Sequence, residues 1–291
     1  MTRLLSLIIT SKDNERFIDI CELLASVKMQ DYPMEAIFVS ENPALTKQII
    51  HYAVDPPMYN IVILNNNGEP GLSGGRNHGV KAASGDIIAF VDDDCLLYPD
   101  WAKRMVEPYQ DSMVIGVTGH AFPLWDDEDM AWFPKELQWL ISCTGWTGRP
   151  YKPRVVNSGW GTNMSFRREA FEKCGGFNLD TGYHKGLVAE DIEFSHRVRR
   201  ETGKVIMFDP TVKVLHKVHE YRLSPEYIKA RSIWIGRSHR TARNLYPEDK
   251  RDDTGLLTAT LRRLPTMTPQ QVRLTMRALW WVGWGYANVC P

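Results

Sequence analysis

Asp86-Ile-Ile-Ala-Phe-Val-Asp-Asp-Asp-Cys95 is the stretch on which the fold turns. The run from Asp86 to Val91 is short, apolar and without a polar face, which fits a strand covered on both sides in a parallel sheet. Three aspartates follow it without a gap. Upstream stand three runs of the same kind: Leu4 to Thr10 (LLSLIIT), Ala36 to Ser40 (AIFVS) and Asn60 to Leu64 (NIVIL). Helical segments separate them. Phe17, Cys21, Leu24 and Val27 share one stripe, and Leu45 to Val54 forms a second segment. A glycine-rich stretch from Gly71 reads as a turn, followed by a helix ending at Ser84-Gly85. This alternation predicts a doubly wound α/β sheet, whose ligands bind beyond the carboxyl ends of the strands. The aspartates lie at such an end.

Beyond Met113 the alternation loosens. One more strand pattern (MVIGV) precedes a stretch from Trp125 to Trp160 that holds five of the ten tryptophans. That density supports two readings, an apolar layer closing the sheet or a platform on which sugar rings stack. Asn163 to Arg167 reads as an edge strand and Glu190 to Thr202 as a helix. Val205 to Phe208 and Val212 to Leu215 read as two short strands parted by Asp209-Pro210. After His216 the composition changes. Ser224-Pro225 is an N-cap with proline at the first helical position, opening a helix to about Leu245. From Tyr227 to Pro247 there is no acidic residue, while Lys229, Arg231, Arg237, Arg240 and Arg243 are present. Thr268-Pro269-Gln270-Gln271 carries the capping-box spacing of a second helix. Its turns place Arg273, Arg277, Trp280 or Trp281, and Trp284 on one side.

Across 291 residues, 35 Lys/Arg balance 35 Asp/Glu, which argues against a nucleic-acid binder with a strong overall field. The balance hides an asymmetry. Residues 1–221 hold 23 basic against 30 acidic residues, and residues 222–291 hold 12 against 5, so the two segments are expected to face different partners. Cys21, Cys95, Cys143, Cys174 and Cys290 occur singly, which supports neither a disulfide framework nor a structural zinc site. Reduced thiols and a cytoplasmic setting are the expectation. No apolar stretch reaches the length that spans a bilayer, so any membrane association is expected to be peripheral.

Three adjacent carboxylates repel one another, and a fold gains little from them at a strand end unless a cation or hydrogen-bond donors hold them. Carboxylate oxygens suit Mg²⁺ or Mn²⁺. A solvated acidic turn is the plain alternative. In order along the chain stand Gly71-Leu-Ser-Gly-Gly-Arg76-Asn77-x-Gly79, Ala83-x-Gly85-Asp86 and Asp92-x-Asp94. Then follow Gly161-x-Asn163-Met164-x-Phe166-Arg167-Arg168, Gly175-Gly176-Phe177, Glu190-Asp191, and Pro210 with His216. This succession, over about residues 4–220, resembles the family-2 glycosyltransferases with the GT-A fold.

The resemblance implies a GT-A catalytic domain at 1–221 and a basic helical C-terminal extension at 222–291. The nucleotide-binding half falls at about 1–112 and the acceptor half at 113–221. It implies a Rossmann-like, mainly parallel sheet and a metal-dependent, inverting transfer from a nucleotide sugar, with UDP the expected nucleotide. Thr10 and Ser11 would line the nucleobase pocket, and Glu41, where aspartate is commoner, would meet the base or ribose. Arg76 would meet base or pyrophosphate, Asp92 the ribose with Asp93 beside it, and Asp94 the Mn²⁺ or Mg²⁺. His216 is the expected further metal ligand, with His219 the fallback. Asp191 would be the base that takes the acceptor hydroxyl proton, and Glu190 would position acceptor or base. Both also suit a helix N-terminus for its dipole alone.

Trp160 and Asn163 are the expected acceptor contacts. Trp132 to Trp139 with Cys143-Thr144, then Asn157 to Arg168, is similar to a subgroup that extends lipid-linked glycans, including archaeal glucuronosyltransferases acting on dolichyl-phosphate sugars. Glu190-Asp191 stands where that subgroup carries two glutamates, so the sugar stays open. Lipid-linked glycan, polysaccharide and protein hydroxyls are all compatible acceptors. The C-terminal helix would lie in a membrane interface, pack on the catalytic domain, or join copies of the chain. Sugar-nucleotide pyrophosphorylases are disfavoured because Thr10-Ser11-Lys12-Asp13-Asn14 lacks their glycines. An inactive nucleotide-sugar-binding scaffold is disfavoured by the intact acidic motifs.

Overall fold

The computed structural model describes residues 4–54, 60–145, 151–181, 189–247 and 253–288. Trp146 and Cys290 lie outside them. Four parallel strands form the first half of the sheet: β1 (Leu5–Ser11), β2 (Met34–Ser40), β3 (Ile61–Asn65) and β4 (Ile87–Asp92). The second half contains β5 (Cys95–Leu97), β6 (Val114–Trp125), β7 (Arg154–Val156), β8 (Asn163–Arg167) and β9 (Val205–Val218). The order is β3-β2-β1-β4-β8-β6-β9-β5, with β7 paired to β9. The order reverses between β1 and β4, where an open α/β sheet leaves its crevice.

Helices α1 (Phe17–Lys28), α2 (Pro43–Val54) and α4 (Trp101–Val106) cover one face of the sheet, and α3 (Gly71–Ala82), α5 (Arg168–Cys174) and α6 (Glu190–Thr202) belong with the other. A third apolar cluster joins Phe133, Leu137 and Ile141 to α7 (Pro225–Leu245) and α9 (Pro269–Ala287). A further helix, α8 (Asp253–Arg263), lies between these two in sequence. The two N-caps form as the sequence dictates. Ser224 accepts from the Tyr227 N–H, and Thr268 and Gln271 complete a capping box.

Three sequence expectations are corrected. The glycine-rich stretch is the first half of α3 itself. A Cβ at Gly79 would sit 2.6 Å from Ile8 and one at Gly75 would sit 3.2 Å from Thr10, so these glycines allow the helix to lie close against β1. β8 is interior, between β4 and β6. Its polar residues mimic an edge, but Ser165 hydrogen-bonds Tyr109 at 2.8 Å and all five residues are buried or nearly so. Finally, the two short strands are one, β9, with Asp209–Val212 as an irregularity. Opposite it β6 needs only Gly119, where any Cβ would fall 1.9 Å from the Val212 carbonyl.

The tryptophan-rich stretch divides between its two readings. Trp125 and Trp139 pack with the third cluster, whereas Trp132 and Trp160 are each 37% exposed. On α9, Trp281 joins that cluster and Trp280 and Trp284 stay exposed. Close crossing of α7 and α9 depends on Gly236 and Gly285, which face the Val282 and Ile233 carbonyls at distances that leave no room for a Cβ.

Candidate active site

Strand register brings the acidic motif to its partners. Thr10 is aligned with Asp92 across β1 and β4, and Cys95 with His216 across β5 and β9, while the Lys217 N–H donates to the Asp94 carbonyl at 2.9 Å. Asp94 is therefore held beside a histidine more than a hundred residues away. His216 Nε2 lies 3.2 Å from Asp94 Oδ1 and 4.0 Å from Asp92 Oδ2. Arg222 Nη2 binds Asp94 Oδ2 at 2.7 Å, and Arg16 Nη1 lies 3.3 Å from the same oxygen.

That division leaves Asp94 Oδ1 buried, facing His216 Nε2 and no other hydrogen-bonding group among the described residues. Asp92, Asp94 and His216 each offer a ligand atom within 4.8 Å of the others, two oxygens and one imidazole nitrogen. This donor set fits a divalent cation such as Mn²⁺ or Mg²⁺. Burial acts to raise the pKa of Asp94, but His216, Arg222 and Arg16 outweigh it and keep the carboxylate ionised well below its usual range. Asp93 moves the other way. Burial first and then the charge of Asp94 raise it, against the Ser11 hydroxyl and Arg16.

The second acidic motif opens α6. Asp191 Oδ2 accepts from the Gly161 N–H at 2.8 Å and Oδ1 from the Ile192 N–H at 2.7 Å. Burial and then the neighbouring Glu190 charge push Asp191 up to about 6. Arg76 Nη1 donates to Glu190 Oε1 at 2.7 Å, and its Nη2 lies 3.6 Å from Asp92 Oδ1. One guanidinium thus separates the two acidic motifs, resting against the edge-to-face pair of Phe90 and Phe177 at 5.7 and 5.5 Å.

A cavity of about 620 Å³ opens beside this bridge. Asp92, Glu190 and Asp191 line it together with Trp139, Trp160, the start of α3, and the α7 residues Arg231, Trp234, Ile235, Ser238 and His239. Helix α7 spans the site. Its approach carries Arg222 to Asp94, and its C-cap Tyr246 donates to Glu193 Oε1 at 2.9 Å and stacks on His196.

Of the residues singled out in sequence, Asp92, Asp94 and His216 come together, and Arg76, Asp92, Glu190, Asp191 and Trp160 share the cavity. Ser11 lies at the end of β1 beside Asp93. Glu41 accepts from the Gly71 N–H and so ties the loop after β2 to the start of α3. His219 faces Asp19 and Asp126, at 3.0 and 2.9 Å, and is not in the cluster. Asn163 does not reach an acceptor. It is fully buried, takes a bond from Trp101 Nε1 at 2.9 Å and gives two to the His120 and Val212 carbonyls, so its polar atoms are spent inside the sheet. Arg16 and Arg222 were missed, as were the cavity residues of α7. The signal for Arg16 was its place just past β1, at the crevice end of the sheet. Arg222 follows His216 by six residues, where the composition changes.

The family model described as "Glycosyl transferase family 2" matches residues 6–175, and the chain belongs to that family. Over 257 residues, 87% of this chain and 81% of the relative, it is 29% identical to the glucosyl-dolichyl phosphate glucuronosyltransferase of Haloferax volcanii. It is 24% identical over 227 residues to the succinoglycan biosynthesis protein ExoM of Rhizobium meliloti, covering 76% of this chain and 70% of the relative. Among solved structures, the mannosyltransferase PcManGT of Pyrobaculum calidifontis, in complex with GDP-Man and Mn²⁺, superposes with a TM-score of 0.64 at 17% identity. The match covers all of this chain and 77% of that one. GalNAc-T7 with UDP, GalNAc and Mn²⁺ gives 0.56 at 16% identity, over 80% of this chain and 48% of that one. The fold is therefore GT-A, with helices added at the C-terminus. Among the described residues no helix is long and apolar enough to cross a membrane.

Proposed function

We propose that this chain is a metal-dependent, inverting glycosyltransferase that moves a sugar from a UDP-linked donor to a hydroxyl of a lipid-linked glycan. The observation that carries the reading is the single guanidinium, Arg76, between the Asp92–Asp94–His216 group and the Glu190–Asp191 pair in one cavity wall. The cation that would hold the donor diphosphate is assigned to Asp94 and His216 and the ribose to Asp92, with the nucleoside at Thr10 and Ser11, where β1 ends beside β4, and at Glu41 after β2. Asp93 lies beside them. A bound Mn²⁺ or Mg²⁺ supplies charge stabilisation to the departing diphosphate. Asp191 accepts the proton of the acceptor hydroxyl as that oxygen forms its bond to the anomeric carbon. The carbon–oxygen bond to the nucleoside diphosphate breaks on the opposite face and its electron pair leaves with the diphosphate. The two N–H bonds to Asp191 hold the carboxylate in place for this proton transfer. Trp160 offers the acceptor ring an apolar face.

The dolichyl-phosphate acceptor of the Haloferax relative supports a lipid-linked substrate, and Mn²⁺ in the two structural neighbours supports the cation. The exposed side of α9, with Arg273, Arg277, Trp280 and Trp284, suits an anionic membrane surface. A panel of UDP- and GDP-sugars, assayed for release of free nucleoside diphosphate with Mn²⁺ and with EDTA, tests the reading. Turnover of a UDP-sugar that EDTA abolishes is the expected result. Turnover that survives EDTA, or a preference for GDP-sugars, refutes the cation or the nucleotide assignment respectively.

A further inference from the structure

We infer that Arg231 and Ser238 form a phosphate subsite within the acceptor cavity, which binds the phosphate of a prenyl-phosphate-linked sugar. The inference rests on the functional reading above and deepens it. Arg231, Trp234, Ile235, Ser238 and His239 fall at i, i+3, i+4, i+7 and i+8 of α7, one helical face, and all five line the cavity that holds Asp191. The Arg231 guanidinium lies 4.4 Å above the Trp234 ring, and among the described residues its Nε has no hydrogen-bond partner. Its helix offers no carboxylate beyond Glu226 in the first turn. Among the described residues no acidic group forms an ion pair with it. Ser238 is 1% exposed, and among the described residues its buried hydroxyl likewise has no partner.

A buried donor without a partner is costly, and two of them belong to residues that line one cavity. A phosphate completes both, accepting from the guanidinium and from the hydroxyl. The charged groups of the cavity also have separate tasks: Asp92 and Glu190 are engaged with Arg76, Asp191 with two N–H groups, and Arg154 lies over the Phe208 ring, whereas among the described residues Arg231 meets an indole and no carboxylate. Apolar groups also line the cavity beside α7, among them Trp160, Trp234, Ile235 and Leu256. A volume of about 620 Å³ accommodates a sugar and its phosphate, and a long prenyl chain has to leave it.

The test uses the full chain with citronellyl phosphate, citronellol and inorganic phosphate as probes, titrated by calorimetry. Citronellyl phosphate is expected to bind wild-type protein, and Arg231→Gln to weaken it about 10- to 100-fold. Ser238→Ala is expected to weaken it by a smaller factor. Both variants should retain wild-type binding of citronellol and of nucleoside diphosphate with Mn²⁺. Equal affinity of Arg231→Gln and wild type for citronellyl phosphate overturns the subsite. Inorganic phosphate binding as tightly as citronellyl phosphate overturns the lipid-linked source and leaves a free-phosphate site. The functional reading is tested separately, by supplying citronellyl-phosphoryl sugars as acceptors. Binding that depends on Arg231 without any transfer supports the subsite and refutes that acceptor class. Transfer that is unchanged by Arg231→Gln does the reverse.

Discussion

Replacing Asp191 by asparagine removes the proposed base and little else. Asp191 spends one lone pair on the Gly161 N–H and one on the Ile192 N–H. Asparagine has one carbonyl oxygen, so it keeps one of these bonds and turns its NH₂ towards the other donor. That lost bond costs about 1–3 kcal/mol of folding stability, a fall in melting temperature of several degrees. The chemistry loses more. Positioned general-base catalysis contributes about 10²- to 10⁴-fold, so kcat for transfer should fall by that factor, about 3–5.5 kcal/mol in activation free energy at 1.36 kcal/mol per decade. Affinity for Mn²⁺ and nucleoside diphosphate should stay within a few-fold, because Asp92, Asp94 and His216 are untouched.

The pH profile gives a second reading of the same group. Its pKa is raised to about 6, so the base form is complete above that value and is lost as pH falls through it. One unit below, roughly a tenth of the molecules keep an ionised base, and kcat/KM should be about a tenth of its plateau. The variant should lack this limb. Transfer by Asp191→Asn within threefold of wild type, or an acid limb preserved in the variant, would falsify the assignment.

Other outcomes follow from the same geometry. Asp94→Asn should weaken Mn²⁺ binding on the order of 100-fold or more, since it removes the charge facing His216, Arg222 and Arg16; unchanged affinity in an electron-spin-resonance titration would place the ion elsewhere. Gly236→Ala puts a methyl 2.1 Å from the Val282 carbonyl. Separating α7 from α9 should cost about 1–3 kcal/mol, visible as earlier thermal unfolding, and no shift would mean the crossing is loose. Trp280→Ala with Trp284→Ala changes exposed side chains, so stability should move by less than about 0.5 kcal/mol for each. Flotation with anionic vesicles should drop sharply, and retained flotation would remove α9 as the membrane contact.

The parallel half of the sheet was legible because a strand buried on both faces reads as an unbroken apolar run, and Ile87 to Val91 is one. The acidic motif was legible for the opposite reason, since nothing in a core rewards three aspartates. What failed was meaning that depends on neighbours far away in sequence. Gly75 and Gly79 read as turn residues, but their lack of a side chain serves contact with Thr10 and Ile8. Asn163 read as a polar residue awaiting a ligand, but Trp101, His120 and Val212 come from three other segments to consume its hydrogen bonds. Asp209-Pro210 read as a strand break because the ladder irregularity it sits in is accommodated by Gly119, ninety residues earlier.

The division of charge has a structural consequence that its sum of zero conceals. Residues 1–221 have a net charge of −7 and residues 222–291 of +7, which in sequence reads as two surfaces for two partners. Two meetings of these segments are internal. Arg222 binds Asp94 at 2.7 Å, and at the other end of a helix about 30 Å long Tyr246 binds Glu193 two residues along α6 from Asp191. Helix α7 is therefore fastened at one end to the residue assigned to the cation and at the other to the helix that carries the base. It lines the cavity between them. A break at 221/222 separates two compositions, but it cuts through one site. Cutting the chain there removes the guanidinium that holds Asp94 Oδ2 and one wall of the cavity together. A shortened chain ending at residue 221 is accordingly expected to lose acceptor turnover and to bind Mn²⁺ more weakly, even where its sheet still folds. Wild-type Mn²⁺ affinity in a folded 1–221 fragment would show that Arg222 contributes nothing to the acidic site.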